Sequence, residues 1–311
     1  SFIEAVRSLA ARVGIVLPTE DSSPEQQTET EALYNSCRFA GLYFYNNLTK
    51  TDEGRSAFEY FHSRGFTDET IRAFGLGYSL HAWDNLLKKA SEEGIKVEYL
   101  VKAGLARTRE DGTHYDYFRG RAMFPIFATT GRVIAFGARK LREDDPLGKY
   151  INSPETALYN KSRVLFGLFH SKDAVRGEDN ALMVEGYADL ISLYQAGVQN
   201  VVASSGTALT EEQLLLLARY SKKLTLVYDA DSAGSSAMVR GVDLALEQDF
   251  DVRVVELPQG DDPDSFVRKQ GGNEFRKLIE QAISFIDFKA KQYQKTGAFM
   301  TAEGKSAAVR S

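Results

Sequence analysis

Apolar positions in the second half of the chain come in short runs separated by stretches of helical length. Residues 181–184, 200–204, 224–228 and 252–257 are runs of largely aliphatic, β-branched-rich character bounded by polar or turn-forming residues. Runs of this kind read as buried parallel strands, and the stretches between them supply crossover helices. A capping box, Thr210-Glu211-Glu212-Gln213, opens one of these helices at residues 214–220. Others are predicted over residues 188–196 and 233–248. The unit is therefore α/β, spanning 179–264.

The first half has a different texture. A capping box at Ser1-Phe2-Ile3-Glu4 opens an amphipathic helix that ends near Gly14, and residues 18–27 are linker-like. Helical periodicity with an aromatic stripe (Leu33, Tyr34, Phe39, Leu42, Tyr43, Phe44, Tyr45) covers about 28–48, and this stripe reads as core. Further helices are predicted over 53–64, from Thr67 to Phe74, and over 81–93 and 97–103, with Gly75-Leu76-Gly77 read as a turn. From Leu105 the pattern becomes strand-like around the hairpin signals Asp111-Gly112 and Thr130-Gly131. A connecting helix is expected over 164–175, and an amphipathic tail helix over 272–295. The expected domains are 1–27 (end of an upstream region and linker), 28–178 (mixed helical and antiparallel-sheet basic subdomain), 179–264 (Rossmann-like parallel sheet) and 265–311 (C-terminal helical subdomain).

Composition narrows the possible chemistry. Of 311 residues, 43% are hydrophobic and 26% charged, an ordinary soluble balance. Cys37 is the only cysteine, so an internal disulfide or a zinc cluster of several thiolates is excluded, and a reducing cytoplasm is expected. Four scattered histidines argue against a histidine zinc site. No run reaches membrane-spanning length and no secretory signal opens the chain, which begins at Ser1 and reads as a piece of a longer protein. Net charge is -5, yet between Arg119 and Arg163 nine basic residues face four acids, an excess of five positive charges beside an acidic segment. Such a surface suits a polyanion; solvated strand-edge protection is the plainer alternative.

Acids cluster where the strands should end: Glu185 after the first run, Asp229 and Asp231 after the third, and Asp262 and Asp264 beyond the fourth. In open α/β sheets reactive groups gather past the carboxyl ends of the strands. Carboxylates brought together there repel unless cations neutralise them, and hard oxygen ligands suit Mg²⁺. Taken singly, each Asp also serves as a helix cap or turn residue.

These residues carry a family resemblance. Val184-Glu185-Gly186-Tyr187-Ala188-Asp189 and Asp229-Ala230-Asp231 resemble the glutamate and DxD motifs of Toprim domains. The segments 119–126, 131–139 and 149–156, followed by Asp262-Pro263-Asp264, resemble the basic and acidic motifs of bacterial replicative primases of the DnaG type. The resemblance runs from Ser1 to about Lys295 and covers that family's central RNA-polymerase core. Zinc is expected only in a missing upstream domain.

The resemblance implies a nucleotidyltransferase, a DNA-directed RNA polymerase making short RNA primers on single-stranded DNA during replication. Glu185, Asp189, Asp229, Asp231, Asp262 and Asp264 would hold Mg²⁺, with Mn²⁺ as a substitute. Glu185, Asp229 and Asp231 would be catalytic, Glu185 as ligand or general base. Arg121, Lys149, Asn152 and Lys161 would contact the nucleotide, and Arg119, Arg132, Arg139 and Lys140 the template backbone. Implied partners are template DNA, ribonucleoside triphosphates and the primer–template hybrid, with the replicative helicase and single-stranded-DNA-binding protein reached through regions outside this chain. A monomeric core in the cytoplasm, at the nucleoid and replication fork, is expected. A Toprim nuclease or topoisomerase-like enzyme and a non-catalytic single-strand-binding module remain the alternatives.

Overall fold

Buried positions four, three, four and four residues apart set the first helix. Leu33, Cys37, Ala40, Phe44 and Leu48 share one face of α1 (Pro24–Lys50), and the ring of Phe44 meets Phe136 edge-on at 5.2 Å. The structure, a computed structural model, describes residues 24–204, 209–228 and 236–295. The helix expected from Ser1 and the polar tail after Lys295 lie outside these.

Two compact units divide the chain. One runs to His62 and resumes over Ile71–Asn160; the other takes Ser63–Thr70 and the described residues from Lys161 onward. The break thus falls at Asn160/Lys161, ahead of the 178/179 boundary read from the pattern. The cause is packing. Leu165, Leu168 and Val175 are buried in the same cluster as the parallel strands, and Phe166 makes an antiparallel bridge to Ala203. The C-terminal helices also group with this sheet instead of forming a subdomain of their own.

In the first unit, α2 (Arg55–Ser63) follows α1, and α3 (Asp68–Ala73) begins in the second unit and ends in the first. Thr67 caps α3, its Oγ1 accepting from Thr70 N at 3.2 Å. Gly75-Leu76-Gly77 is only partly the expected turn. Gly75 is left-handed (φ +62°), but Gly77 opens strand β1 (Gly77–Ser79). A Cβ on Gly77 would stand 2.7 Å from the carbonyl carbon of Phe44, so only glycine lets the strand run this close beneath α1.

Next come α4 (Asn85–Glu92), α5 (Val97–Lys102) and the hairpin of β2 (Ala106–Thr108) with β3 (His114–Asp116). Then β4 (Arg121–Phe127), β5 (Val133–Lys140) and β6 (Tyr150–Asn152) join β1 in an antiparallel sheet of order β1-β4-β5-β6. Pro125 is tolerated inside β4 for a visible reason. It pairs with Phe136, whose amide and carbonyl turn away toward Ser153, so the missing N–H of Pro125 faces the side where β1 has already ended.

In the second unit a short 3₁₀ turn (Lys161–Arg163) leads into α6 (Leu168–Glu178), which starts later than predicted. The series continues with β7 (Ala181–Val184), α7 (Tyr187–Gln195), β8 (Val201–Ala203), α8 (Glu211–Leu217), β9 (Lys223–Tyr228), α9 (Ser236–Glu247) and β10 (Asp251–Glu256). The capping box of Thr210 and Gln213 opens α8 as read from the sequence. The tail departs from one amphipathic helix. It forms α10 (Pro263–Glu280), kinked at Gly271 (φ 83°, ψ 168°), then β11 (Ile283–Ser284) and α11 (Phe285–Lys295). Burial of Phe285 and Phe288 against the sheet fixes that reversal.

The strand order is β11-β10-β9-β7-β8, with β7 to β10 parallel and β11 antiparallel. From β7 the chain crosses to β8 on one side; from β9 it crosses to β10 on the other. The connections therefore diverge between β7 and β9, the topological switch point where open α/β sheets place their sites.

Candidate active site

Glu185 is the first residue past β7, and its side chain is exposed. Met183 pairs with Leu226 on β9, so continuing that register sets Glu185 abreast of Tyr228, the last residue of β9. Asp229 and Asp231 follow in the chain but lie outside the described residues. The end of β7 thus carries Glu185, and two more acids, Asp229 and Asp231, follow β9 in the sequence.

Gly186 is the N-cap of α7 and is extended (φ −112°, ψ 162°). Its lack of a side chain leaves room for Asp189. A Cβ there would stand 2.6 Å from Oδ2 of Asp189, whose side chain folds back over the helix start. Asp189, in the first turn of α7, also suits the positive end of the helix dipole. The spacing Glu-Gly-x-x-Asp thereby brings two carboxylates to one end of a strand–helix turn.

The other two acids are engaged within the protein. Asp262 is the N-cap of α10: its Oδ1 accepts from Ser265 N at 2.6 Å, and Ser265 Oγ accepts from Asp262 N at 3.0 Å. Asp264 is 1% exposed. Its Oδ2 lies 2.5 Å from Arg64 Nη1, its Oδ1 accepts from Ser192 Oγ at 2.6 Å, and Arg268 stands at 3.6 Å. Among the described residues no three His, Cys, Asp or Glu side chains gather as a metal site. The exposed carboxylate of Glu185 is the kind of oxygen donor a hard divalent cation takes.

In the first unit the basic residues separate into two groups. Arg121 pairs across the sheet with Lys140, and Ala122 with Arg139; Lys140 N donates to the carbonyl of Lys149, and Gly137 pairs with Asn152. Arg119, Arg121, Arg139, Lys140, Lys149 and Asn152 therefore share one end of the sheet. Arg132 lies at the opposite end of β5, about 23 Å away at the usual strand rise. There it pairs with Glu31 at 2.6 Å and covers the ring of Tyr34. Lys161 belongs to the second unit, where its carbonyl accepts from Gln213.

Arg121 differs from the surface phosphate contact expected of it. It is 1% exposed, donates to the carbonyls of Gly148 (3.1 Å) and Ala138 (3.4 Å), and its Nη2 lies 2.5 Å from Asp145 Oδ2. That last contact is not aligned along an N–H bond, so it acts as an electrostatic pairing. Burial lowers the affinity of Arg121 for its proton, with Asp145 pulling the other way. Its evident work is to tie the loop of residues 141–148 onto the sheet. Arg139 is stacked over Tyr60 at 4.2 Å.

Two residues went unread in the sequence. Trp83, the only tryptophan, is 58% exposed. The guanidinium groups of Arg119 and Arg109 lie 4.2 and 5.1 Å from its ring centre, and Tyr115 meets it edge-on at 5.6 Å. It borders a cavity of about 240 Å³ that also involves His81, Tyr117, Arg119 and the loop from Arg142 to Leu147. A solitary Trp next to His81 was the available hint, but 36 residues separate it from Arg119. Arg64 gave no hint; it reads as the end of a helix.

An acid-edged parallel sheet with strands within 181–256, carried in one chain with an antiparallel basic sheet, defines a Toprim-type protein. Residues 43–172 match the family model for the N-terminal domain of the DNA primase catalytic core, and residues 182–267 match a Toprim-like model. The chain is 42% identical over 292 residues to the DNA primase of Clostridium acetobutylicum, covering 93% of this chain and 48% of that protein. It spans about half the length of the curated relatives it matches. The crystal structure of a DNA primase domain from Pseudomonas aeruginosa superposes with a TM-score of 0.81 at 38% identity, covering 89% of this chain and 87% of that one. A DnaG primase catalytic domain bound to single-stranded DNA gives a TM-score of 0.79 at 34% identity, covering 91% of each chain. The chain belongs to the DnaG-type DNA primase catalytic cores.

Proposed function

We propose that this chain joins ribonucleoside triphosphates into a short RNA primer on single-stranded DNA. The observation that carries the reading is the exposed Glu185 at the switch point between β7 and β9, with Asp229 and Asp231 following Tyr228 in the sequence. In the reaction a 3′-hydroxyl attacks an α-phosphate and pyrophosphate leaves. Glu185, Asp189, Asp229 and Asp231 would hold Mg²⁺. Cations bound there would neutralise charge developing on the attacking and leaving oxygens. Asp262 serves first as a helix cap, and any ligand role would have to share its oxygens with Ser265. Glu185, being exposed, is also placed to take the hydroxyl proton.

Lys149 and Asn152 are the nucleotide contacts we retain in the first unit, with Lys161 in the second. Arg121 supports Lys149 by holding the preceding loop. For the template we assign Arg119, Arg139 and Lys140, and add Trp83: an exposed indole among guanidinium groups suits an unpaired base and its phosphate. That a related DnaG primase catalytic domain has been solved bound to single-stranded DNA supports this reading. Arg132 is left out, because it lies at the other end of the sheet. The test is synthesis from single-stranded DNA and labelled ribonucleotides with Mg²⁺ or Mn²⁺. Parent chain should give short RNA, and Glu185→Gln should lower the yield by about 10³-fold, in the range typical for loss of a principal catalytic group.

A further inference from the structure

We propose that Arg64 and Asp264 are positioning residues for the acidic end of α7, acting through Ser192, and that Asp264 is not itself a metal ligand. The inference rests on the reading of Glu185 and Asp189 as cation-binding groups.

The geometry of Asp264 carries it. Both carboxylate oxygens are engaged, Oδ2 by Arg64 and Oδ1 by the hydroxyl of Ser192, and the residue is 1% exposed. Two cations, Arg64 and Arg268, already neutralise it. A ligand role would need the pairing of the buried Asp264 carboxylate with Arg64 broken. Ser192 lies three residues after Asp189 on α7, hence on the same side of the helix one turn along. A tether at Ser192 thus fixes the rotation of α7 about its axis, and with it where Asp189 and Glu185 are presented. A second tether repeats the logic at the far end of the helix. The Gln195 side chain accepts from Thr67 N and donates to the carbonyl of Gly65, both at 2.9 Å. Segment Ser63–Thr70, which supplies Arg64, therefore grips α7 at two points within the second unit.

The test compares the parent chain with Ser192→Ala, Asp264→Asn and the double variant. Three readouts are taken: Mn²⁺ affinity by electron paramagnetic resonance, amide exchange of residues 186–195, and kcat and KM in primer synthesis. Ser192→Ala removes only a hydroxyl and keeps the fold. It should weaken Mn²⁺ binding about tenfold, the usual cost of losing an outer partner. It should also lower kcat with KM for ribonucleotide unchanged, speed exchange over 186–191, and be non-additive with Asp264→Asn. If Ser192→Ala leaves Mn²⁺ affinity and exchange at the parent values while Asp264→Asn alone abolishes binding, Asp264 is a ligand and the proposal is overturned. If the parent itself binds no Mn²⁺, the cation reading fails, and exchange alone then decides the tether: faster exchange in Ser192→Ala upholds it, unchanged exchange overturns it.

Discussion

Arg121 Nη2 stands 2.5 Å from Asp145 Oδ2, and Arg121 is as buried as the phenylalanines around it. A guanidinium so placed holds a loop and is closed to a ligand from solvent. Removing either partner strands the other, so Arg121→Ala should cost about 3–5 kcal/mol by urea unfolding. Arg121→Lys should rescue little, because one ammonium cannot reach Asp145 and the carbonyls of Gly148 and Ala138 together. Wild-type stability in Arg121→Ala would mean that the loop is held by other contacts.

Asp116 sets a pH dependence. Its oxygens accept from the amides of Leu86 (2.8 Å) and Leu87 (3.1 Å) at the start of α4. Burial nevertheless pushes its carboxyl up to about 6, outweighing the pull of those two amides. The folded pKa lies above the unfolded one, so the stability this group contributes is complete below the unfolded pKa, near pH 4, and is lost as pH rises through about 6. The stability of the parent relative to Asp116→Asn should therefore fall between about pH 4 and pH 7 and stay flat above that. A parent whose relative stability rises with pH would reverse the assignment.

Two glycines should respond in opposite ways to an added methyl group. At Gly272 a Cβ would meet the carbonyl oxygen of Ala196 at 2.1 Å, a backbone atom that cannot yield. Gly272→Ala should lower the melting temperature by roughly 10 °C or more, as overpacking of a few kcal/mol does in a domain of this size. At Gly186 the Cβ meets only the end of the Asp189 side chain. Gly186→Ala should leave melting almost unchanged while reducing primer synthesis, because Asp189 is pushed aside.

The template assignment separates Trp83 and Arg119 from Arg132. Trp83→Ala should weaken single-stranded DNA binding by about 1–3 kcal/mol with the salt slope kept, as loss of a stacked base does. Arg119→Ala should reduce that slope by the share of one phosphate contact, about 0.7 for a single strand. Arg132, paired with Glu31 on the surface, should change affinity by less than about 0.5 kcal/mol. An Arg132→Ala effect as large as that of Arg119→Ala would extend the template path along the whole of β5.

Local signals carried far in the sequence. Strand–helix alternation gave the order of the Toprim sheet elements, because buried parallel strands are short apolar runs and their helices begin at recognisable caps such as Thr210. Gly77 was misread because its role is set by Phe44, 33 residues earlier in the chain, and the tail was misread because Phe285 and Phe288 answer to the sheet and not to a solvent-facing stripe. The acids show the same division. The pattern of apolar runs placed Glu185 at a strand end, where the structure has it, while Asp189 entered only through the family resemblance. Whether Asp264 faces a cation or an arginine depends on Arg64, 200 residues away, which no window along the chain connects to it. Burial likewise turned Arg121 from an expected phosphate contact into a loop clamp.

The most direct test of the account is primer synthesis by this chain on single-stranded DNA, with Asp229→Ala and Glu185→Gln run beside the parent under Mg²⁺ and Mn²⁺. Short RNA from the parent, lost on chelation and absent from both variants, is the predicted result. Product of equal yield from either variant would contradict the placement of the reaction at the switch point between β7 and β9.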